Sequence, residues 1–406
     1  MGARDTAMTL LQEAGRLLPA LTKLRRHLHA HPELGFEEYA TAALVAARLR
    51  RLGLRVRSHV GRTGVVAVLQ GASRGPTLAF RACMDALPVT EPRHAPYASR
   101  SPGRAHACGH DAQVAILLGA VALLAPRASM LRGRVALIFQ PAEELDAGAR
   151  AMLADGLLQN PRLDAMVGFH GQPELPLGRV GVSPGPVMAA IDTFRLTIEG
   201  RGGHGALPHQ TADPIVAAAA AVVGLQTVVS RGVDPREAAV VTVGCLRAGE
   251  TSNVIPPRAE LAGTVRALRP AVRRCVEARL RQVVERTCAA LGTRARLDYR
   301  AMLPPLVNDP RWAARLRQAA AAVLGPRAVV TAAPSMGGDD FSHYLAHVPG
   351  CYVWLGERAS GRPVRPWHHP AYDVDDRVIP IGAAVLAQVA LDFLGDGGPA
   401  PRARPR

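Results

Sequence analysis

The sequence predicts an α/β protein: a mixed sheet flanked by helices, with a ferredoxin-like α+β unit inserted into it. Three observations predict this. Short apolar runs alternate with longer helical stretches as far as Ser183-Pro184-Gly185-Pro186. A strand-helix-strand-strand-helix-strand rhythm then occupies residues 188–302. After Leu303-Pro304-Pro305 the first rhythm resumes. The chain reads as one domain built from 1–187 and 303–395, a second domain of 188–302, and a Gly-, Pro- and Arg-rich tail at 396–406 expected to be disordered.

Each element has its own signal. Residues 5–52 carry apolar positions at helical spacing, with Asp5 as a capping residue and Gly53 as the stop. Pro32 and Gly35 break this stretch into a loop at His29-Ala30-His31-Pro32-Glu33-Leu34-Gly35-Phe36-Glu37-Glu38. Gly64 to Leu69, Thr77 to Ala82, Val135 to Phe139 and Ala165 to Phe169 are short apolar runs that read as buried strands. Ala112 to Leu124 and Asp146 to Leu158 read as helices. In the inserted unit, strands are expected at Asp192–Glu199, Ala238–Leu246, Arg258–Ala267 and Arg294–Tyr299, and helices at Asp213–Ser230 and Ala271–Leu291. Strand candidates Ala328–Thr331 and Cys351–Leu355 follow.

Composition bounds the function. At 406 residues and 48% hydrophobic, the chain buries large cores and is neither disordered nor a coiled coil. The apolar runs Ala115 to Pro126 and Ile215 to Leu225 fall short of the roughly 20 residues of a membrane span, so no membrane association is expected. The net charge is +16, and Lys23 is the one lysine. The arginines are scattered without interleaved aromatics, which reads as compositional bias and not as a nucleic-acid surface. Six cysteines make no disulfide framework, and no apolar signal segment opens the chain, so a cytoplasmic location is expected. Met1-Gly2-Ala3-Arg4-Asp5-Thr6 fits the bare myristoylation pattern, which is short enough to arise by chance.

In open α/β sheets, sites form beyond the carboxyl ends of strands. Here those ends carry Cys83-Met84-Asp85, Gln140-Pro141-Ala142-Glu143-Glu144, His170 and His368-His369-Pro370, and a helix start carries His106-Ala107-Cys108-Gly109-His110. Imidazole, thiolate and carboxylate are the donor set of zinc and related divalent cations. Cys108 and His110 flank a glycine that lets the backbone bend so both reach one site. Adjacent Glu143 and Glu144 suit a division of labour, one holding metal and one handling protons.

These stretches resemble the M20 metallopeptidase family, in particular the amidohydrolase branch that hydrolyses N-acyl amino acids, hippurate and auxin–amino acid conjugates. The matching segments are His29-Ala30-His31-Pro32-Glu33, Met84-Asp85-Ala86-Leu87-Pro88, His106-Ala107-Cys108-Gly109-His110-Asp111 and Pro141-Ala142-Glu143-Glu144. Gly202-Gly203-His204, Asn253-Val254-Ile255-Pro256, Gly263-Thr264-Val265-Arg266, Asp340-Phe341 and His368-His369-Pro370 complete the set, in the family's order and across nearly the whole chain. The resemblance implies a di-metal α/β catalytic domain with an inserted lid used for dimerisation. It implies that Cys108, His110, Glu144, His170 and His368 hold two divalent metals (Zn, Mn, Co or Ni), with Cys108 bridging and His369 the substitute if the register of the His pair differs. It gives Glu143 the part of general base and Asp85 that of a carboxylate orienting a ligand. It implies that His204 reaches across a dimer to support the oxyanion and that Asn253 and Arg266 hold the substrate carboxylate.

Three positions depart from the branch's pattern. Cys83 stands where it has Asp, Ala112-Gln113 where it has Gly-His, and Asp339 where it has Glu. Cys83 is either an extra thiolate near the metals or an inert small residue. The expected reaction is metal-dependent hydrolysis of an N-acyl amino acid to a carboxylic acid and a free amino acid. The alternatives are a dipeptidase, a biosynthetic amide hydrolase on the same scaffold, and a non-catalytic homologue. A small-molecule N-acyl amino acid or dipeptide and a second copy of the chain are the expected partners.

Overall fold

The computed structural model describes residues 3–92, 95–361 and 363–395. The tail expected at 396–406 and the first two residues of the myristoylation pattern lie outside the described residues. The chain divides into two compact units: 1–185 with 307–333 and 343–406, and 186–306 with 334–342.

The first unit is built on a mixed eight-stranded sheet. Helix α1 (Ala3–Ala30) and helix α2 (Tyr39–Arg51) lead into β1 (Arg55–Val60), β2 (Gly64–Gln70) and β3 (Ser73–Cys83). Then come α3 (His110–Leu124), β4 (Arg132–Gln140), α4 (Gly148–Ala154) and β5 (Ala165–Pro176). The sheet runs β1–β2–β4–β3–β5, followed by the strands Gly350–Arg358, Val180–Gly181 and Val329–Val330. β4, β3, β5 and Gly350–Arg358 are mutually parallel, and β1–β2 and β2–β4 are antiparallel. Register pairs Cys83 with Gln140, Arg81 with Gly168 and His170 with Trp354. The carboxyl ends of four parallel strands therefore finish side by side, and the segments after them start from one edge.

Several elements differ from the sequence reading. Asp5 lies inside the first turns of α1 and not before it. β1 was not expected: Arg55-Val56-Arg57-Ser58-His59-Val60 has no apolar run, as suits an edge strand. The helix after Glu144 is α4, shorter than Asp146–Leu158, because Asp146 (φ 52°) and Gly156 (φ 75°) sit in the left-handed region at either end. α3 is buried on every side except at Ala122. With the turn that follows it, the apolar stretch His110–Met130 is 21 residues long, enough by length and composition to cross a membrane. It packs against α1 and the C-terminal helix Val378–Leu394 as a core element. All-round apolarity is what a helix enclosed by protein requires.

The second unit is a four-stranded antiparallel sheet in the order Ala239–Ala248, Arg258–Ala267, Ala190–Glu199, Arg294–Leu303. Numbered along the chain this is 2-3-1-4, the ferredoxin-like order read from the other edge. The helices Pro214–Ser230 and Pro270–Ala290 cover one face, and Phe194, Leu196, Ile198, Leu225, Leu261, Leu280 and Val284 form the core beneath them. Asp213 caps the first of these helices, its Oδ1 accepting the Ile215 N–H at 2.8 Å. A buried carboxylate, Asp192, lies on the Ala190–Glu199 strand. Asp192 accepts hydrogen bonds from Arg273 Nε at 2.8 Å and Tyr299 Oη at 2.6 Å.

Candidate metal centre

The centre gathers at the carboxyl edge of the parallel strands. Gly109 precedes α3 with φ 82°, a conformation that costs glycine little, and an added Cβ would meet Tyr372 Oη at 2.9 Å. This turn sets Cys108 and His110 on either side of it. His110 donates from Nδ1 to the Asp85 main-chain oxygen at 2.9 Å, with Asp85 Oδ1 at 3.1 Å. That bond fixes the tautomer and leaves Nε2 as a lone-pair donor, buried and without a hydrogen-bond partner. The other Asp85 oxygen accepts the Glu144 N–H at 2.8 Å, so one carboxylate orients a ring and an adjacent backbone.

Glu143 and Glu144 stand on a single tight turn bracketed by Ala142 (φ 49°) and Asp146 (φ 52°). Two left-handed non-glycine residues persist only where neighbours over-determine them. Glu38 supplies one such constraint: its Oε1 accepts the Ala142 N–H at 2.8 Å and its Oε2 accepts the Thr63 hydroxyl. Burial pushes the Glu38 carboxyl up. Sequence reasoning quoted Glu38 only as part of a loop; the residue it anchors is 104 positions away.

The remaining donors arrive from two further strand ends. His170 donates from Nδ1 to the Gly171 oxygen at 2.8 Å, and its Nε2 lies 3.4 Å from Cys108 Sγ. His368 Nε2 lies 3.4 Å from Glu144 Oε2. Two trios result, Cys108–His110–His170 and Cys108–Glu144–His368, each with its donor atoms within 4.8 Å of one another. Cys108 belongs to both. Glu143 joins His110 and Glu144 in a third grouping, and its Oε2 is 3.7 Å from His110 Nε2.

The electrostatics fit cations. Burial, then the charge of Glu144, push the Cys108 thiol well up, and burial pushes the Glu144 carboxyl up. Burial disfavours the His110 imidazolium, but its bond to Asp85 outweighs that and raises it to about 9, so a cation binding at Nε2 displaces a proton there. Sulfur, nitrogen and oxygen donors held this way are costly without a positive charge between them. Nε2 of His110 and Oε1 of Glu144 are both buried without a partner, which divalent cations would satisfy.

The other expected residues are placed as follows. His369 turns to its own loop, its Nδ1 accepting the Ala371 N–H at 3.0 Å. Cys83 lies in a grouping with Asp85 and His110, and Gln113 Oε1 accepts the Cys83 N–H at 3.0 Å. The glutamine thus holds the backbone of the position where the pattern is broken. Asp339 accepts the Phe341 N–H at 2.7 Å and caps the short helix Phe341–Leu345, which a short side chain suits. In the second unit His204 is exposed, on the two-residue strand that pairs with Val254–Ile255, and its Nδ1 accepts the Ala206 N–H at 3.0 Å. Asn253 adjoins it, its main-chain oxygen accepting the Gly205 N–H at 2.9 Å. Arg266 lies on the Arg258–Ala267 strand, opposite Val240 and Ile191.

Comparison with known proteins agrees with this geometry. A family model described as Peptidase family M20/M25/M40 matches residues 79–392, so the chain belongs to that family. N-acetyl-L-cysteine deacetylase of Bacillus subtilis (strain 168) is 43% identical over 359 residues, covering 88% of this chain and 84% of the relative. IAA-amino acid hydrolase ILR1-like 2 of Arabidopsis thaliana is 37% identical over 378 residues, covering 92% and 85%. The solved structure of the YxeP protein of Bacillus subtilis, a dinuclear metal-binding peptidase from the M20 family, superposes with a TM-score of 0.83 at 36% identity, covering 94% of this chain and 99% of that one. The chain is a hydrolase of the family's amidohydrolase branch.

Proposed function

We propose that the protein hydrolyses the amide bond of N-acyl amino acids, releasing a carboxylic acid and a free amino acid, at a centre that takes two divalent cations. The observation that carries this reading is the pair of donor trios sharing Cys108, with the Glu143 carboxylate beside them. The names of the relatives point the same way, to acyl groups on amino acids.

Cys108, His110 and His170 would hold one cation and Cys108, Glu144 and His368 the other. Bound there, the cations supply Lewis-acid polarisation of the amide carbonyl and a water acidic enough to attack near neutral pH. The chain's own groups do the rest. Glu143 accepts the proton of the attacking water at its carboxylate and returns it to the leaving nitrogen. Asp85 fixes the orientation of His110 and of the Glu144 backbone. His204 supports the developing oxyanion, and Asn253 and Arg266 hold the free carboxylate of the amino acid.

We read the second unit as a lid through which two copies associate. Its Ala239–Ala248 strand is a sheet edge, and Val223 on the Pro214–Ser230 helix is 71% exposed. None of the six cysteines is in a disulfide, which supports a cytoplasmic setting.

The test is the metal content of the purified protein together with hydrolysis of a panel of N-acyl amino acids and dipeptides, with and without added zinc or manganese. About two ions per chain and turnover of the acyl substrates are expected. Glu143→Gln should keep the metal and lose about 10²–10⁴-fold in kcat. Absence of metal uptake and of hydrolysis overturns the reading, and turnover of dipeptides alone redirects it to a dipeptidase.

A further inference from the structure

α1 contains a fully buried arginine, Arg25, that no part of the chemistry above uses. Its guanidinium meets three carboxylates at once. Nε donates to Asp111 Oδ2 at 2.7 Å, Nη2 to Asp373 Oδ1 at 2.5 Å and Nη1 to Asp376 Oδ1 at 3.3 Å. These acids belong to different parts of the centre. Asp111 is the residue after His110 in the first turn of α3. Asp373 and Asp376 end the loop that presents His368.

The two parts have unequal support. The Cys108–His110 turn is buried and continuous with α3. His368 is a non-glycine residue at φ 66°, and its side chain is 57% exposed. Such a backbone is costly and must be held by its surroundings. One hydrogen bond ties it directly to the buried turn, His368 N–H to the Ala107 oxygen at 2.8 Å. Trp367 Nε1 donates to the Gly171 oxygen at 3.0 Å, and further anchorage lies downstream. Tyr372 Oη donates to Glu357 Oε2 at 2.7 Å, and Asp373 takes Arg25 on one oxygen and the Tyr97 hydroxyl, at 2.8 Å, on the other. Arg25 is thus one rigid fork with one tine on the His110 segment and two on the His368 loop.

We propose that Arg25 is a positioning residue that sets the His368 loop against the Cys108–His110 turn, and so governs retention of the cation held by Cys108, Glu144 and His368 more than that of its neighbour. This rests on the two-cation reading above. The chemistry favours arginine for the task. A guanidinium stays charged when buried and offers five donors in a plane, whereas an ammonium is a point charge that cannot span acids on separate segments. Outer partners of metal ligands commonly change metal affinity by about 10–100-fold when removed.

The experiment is zinc titration by equilibrium dialysis of the full-length protein, with the melting temperature of the metal-free form measured in parallel. Two variants are compared: Arg25→Lys, which keeps the charge and loses the fork, and Asp373→Asn, which loosens only the loop end of the clamp. In both, the first ion is expected to bind as in the wild type and the second at least tenfold more weakly, with metal-free melting of Asp373→Asn little changed. If Arg25→Lys fails to fold, the selective loss in Asp373→Asn alone decides the matter. Unchanged affinity for both ions overturns the proposal. So does an equal weakening of both that tracks loss of metal-free stability. Failure of the wild-type protein itself to take up zinc, and manganese in its place, defeats the two-cation reading and this proposal with it, an outcome distinct from unselective variants of a metal-loaded wild type.

Discussion

Apart from the exposed His368, the two units present their candidate functional groups in different ways. In the first, the candidate ligands Cys108, His110 and His170 are buried, and both imidazoles have their non-ligating nitrogen committed to an oxygen. In the second, His204 and Asn253 are exposed and are held mainly by the backbone of paired short strands. Burial with a fixed tautomer sets geometry before any ligand arrives. Exposure leaves rotamer freedom, so ordering is paid on binding. The contrast teaches that metal affinity should be a property of the first unit alone, and that the second should act on turnover.

The largest expected effect tests the first half of that statement. Cys108→Ala removes the donor common to both trios and should abolish binding of both ions, taking hydrolysis to background. Metal analysis after gel filtration checks it, and retention of one ion would show that the thiol is not shared. Next comes His204→Ala. It should lower kcat by about 10²–10³-fold, as loss of an oxyanion donor does, with metal content unchanged. A fall in bound metal in this variant would break the contrast between the units.

A smaller effect sharpens it through pH. His106 is buried with neither ring nitrogen hydrogen-bonded, and burial pushes it down to about 4. The unfolded chain takes up this proton near pH 6.5 while the folded protein does not. The contribution of His106 to stability is therefore full above about pH 6.5 and falls as the pH drops towards 4, by up to about 3 kcal/mol. Thermal melts of the metal-free protein across that range should show this acid limb, and His106→Leu should flatten it.

Much of this was legible in the sequence, and the reasons differ by residue. Cys108-Gly109-His110, Glu143-Glu144 and His170 were readable because each follows an apolar strand or opens an apolar helix, and parallel strands bring their carboxyl ends together. The βαββαβ rhythm fixed the second unit's order because its strands and helices are long and separated by clear turns. Edge strand β1 escaped because its Arg, Ser and His residues leave only Val56 and Val60 as apolar side chains. The short α4 was overextended because periodicity does not report that Asp146 adopts a left-handed backbone. Glu38 and Arg25 were missed for a deeper reason. Their partners lie up to 351 positions away, and local pattern carries no record of such pairs. His204, Asn253 and Arg266 came from family resemblance and not from spacing, since an exposed side chain leaves no periodic trace.

The core helix α3 is enclosed by α1 and by the helix Val378–Leu394, the first and last helices of the described chain. This orders events on the ribosome. The second unit's sheet, from Ala190 to Leu303, is complete in one contiguous stretch and can form while synthesis continues. The sheet of the first unit waits for its final helix, roughly 90 residues later, or about 5–20 s at usual elongation speeds of 5–20 residues per second. For that interval the thiol and imidazole at the head of α3 sit on a helix whose apolar flank is still uncovered. Until Val378–Leu394 is made, that flank of α3 is exposed apolar surface of the kind that aggregates.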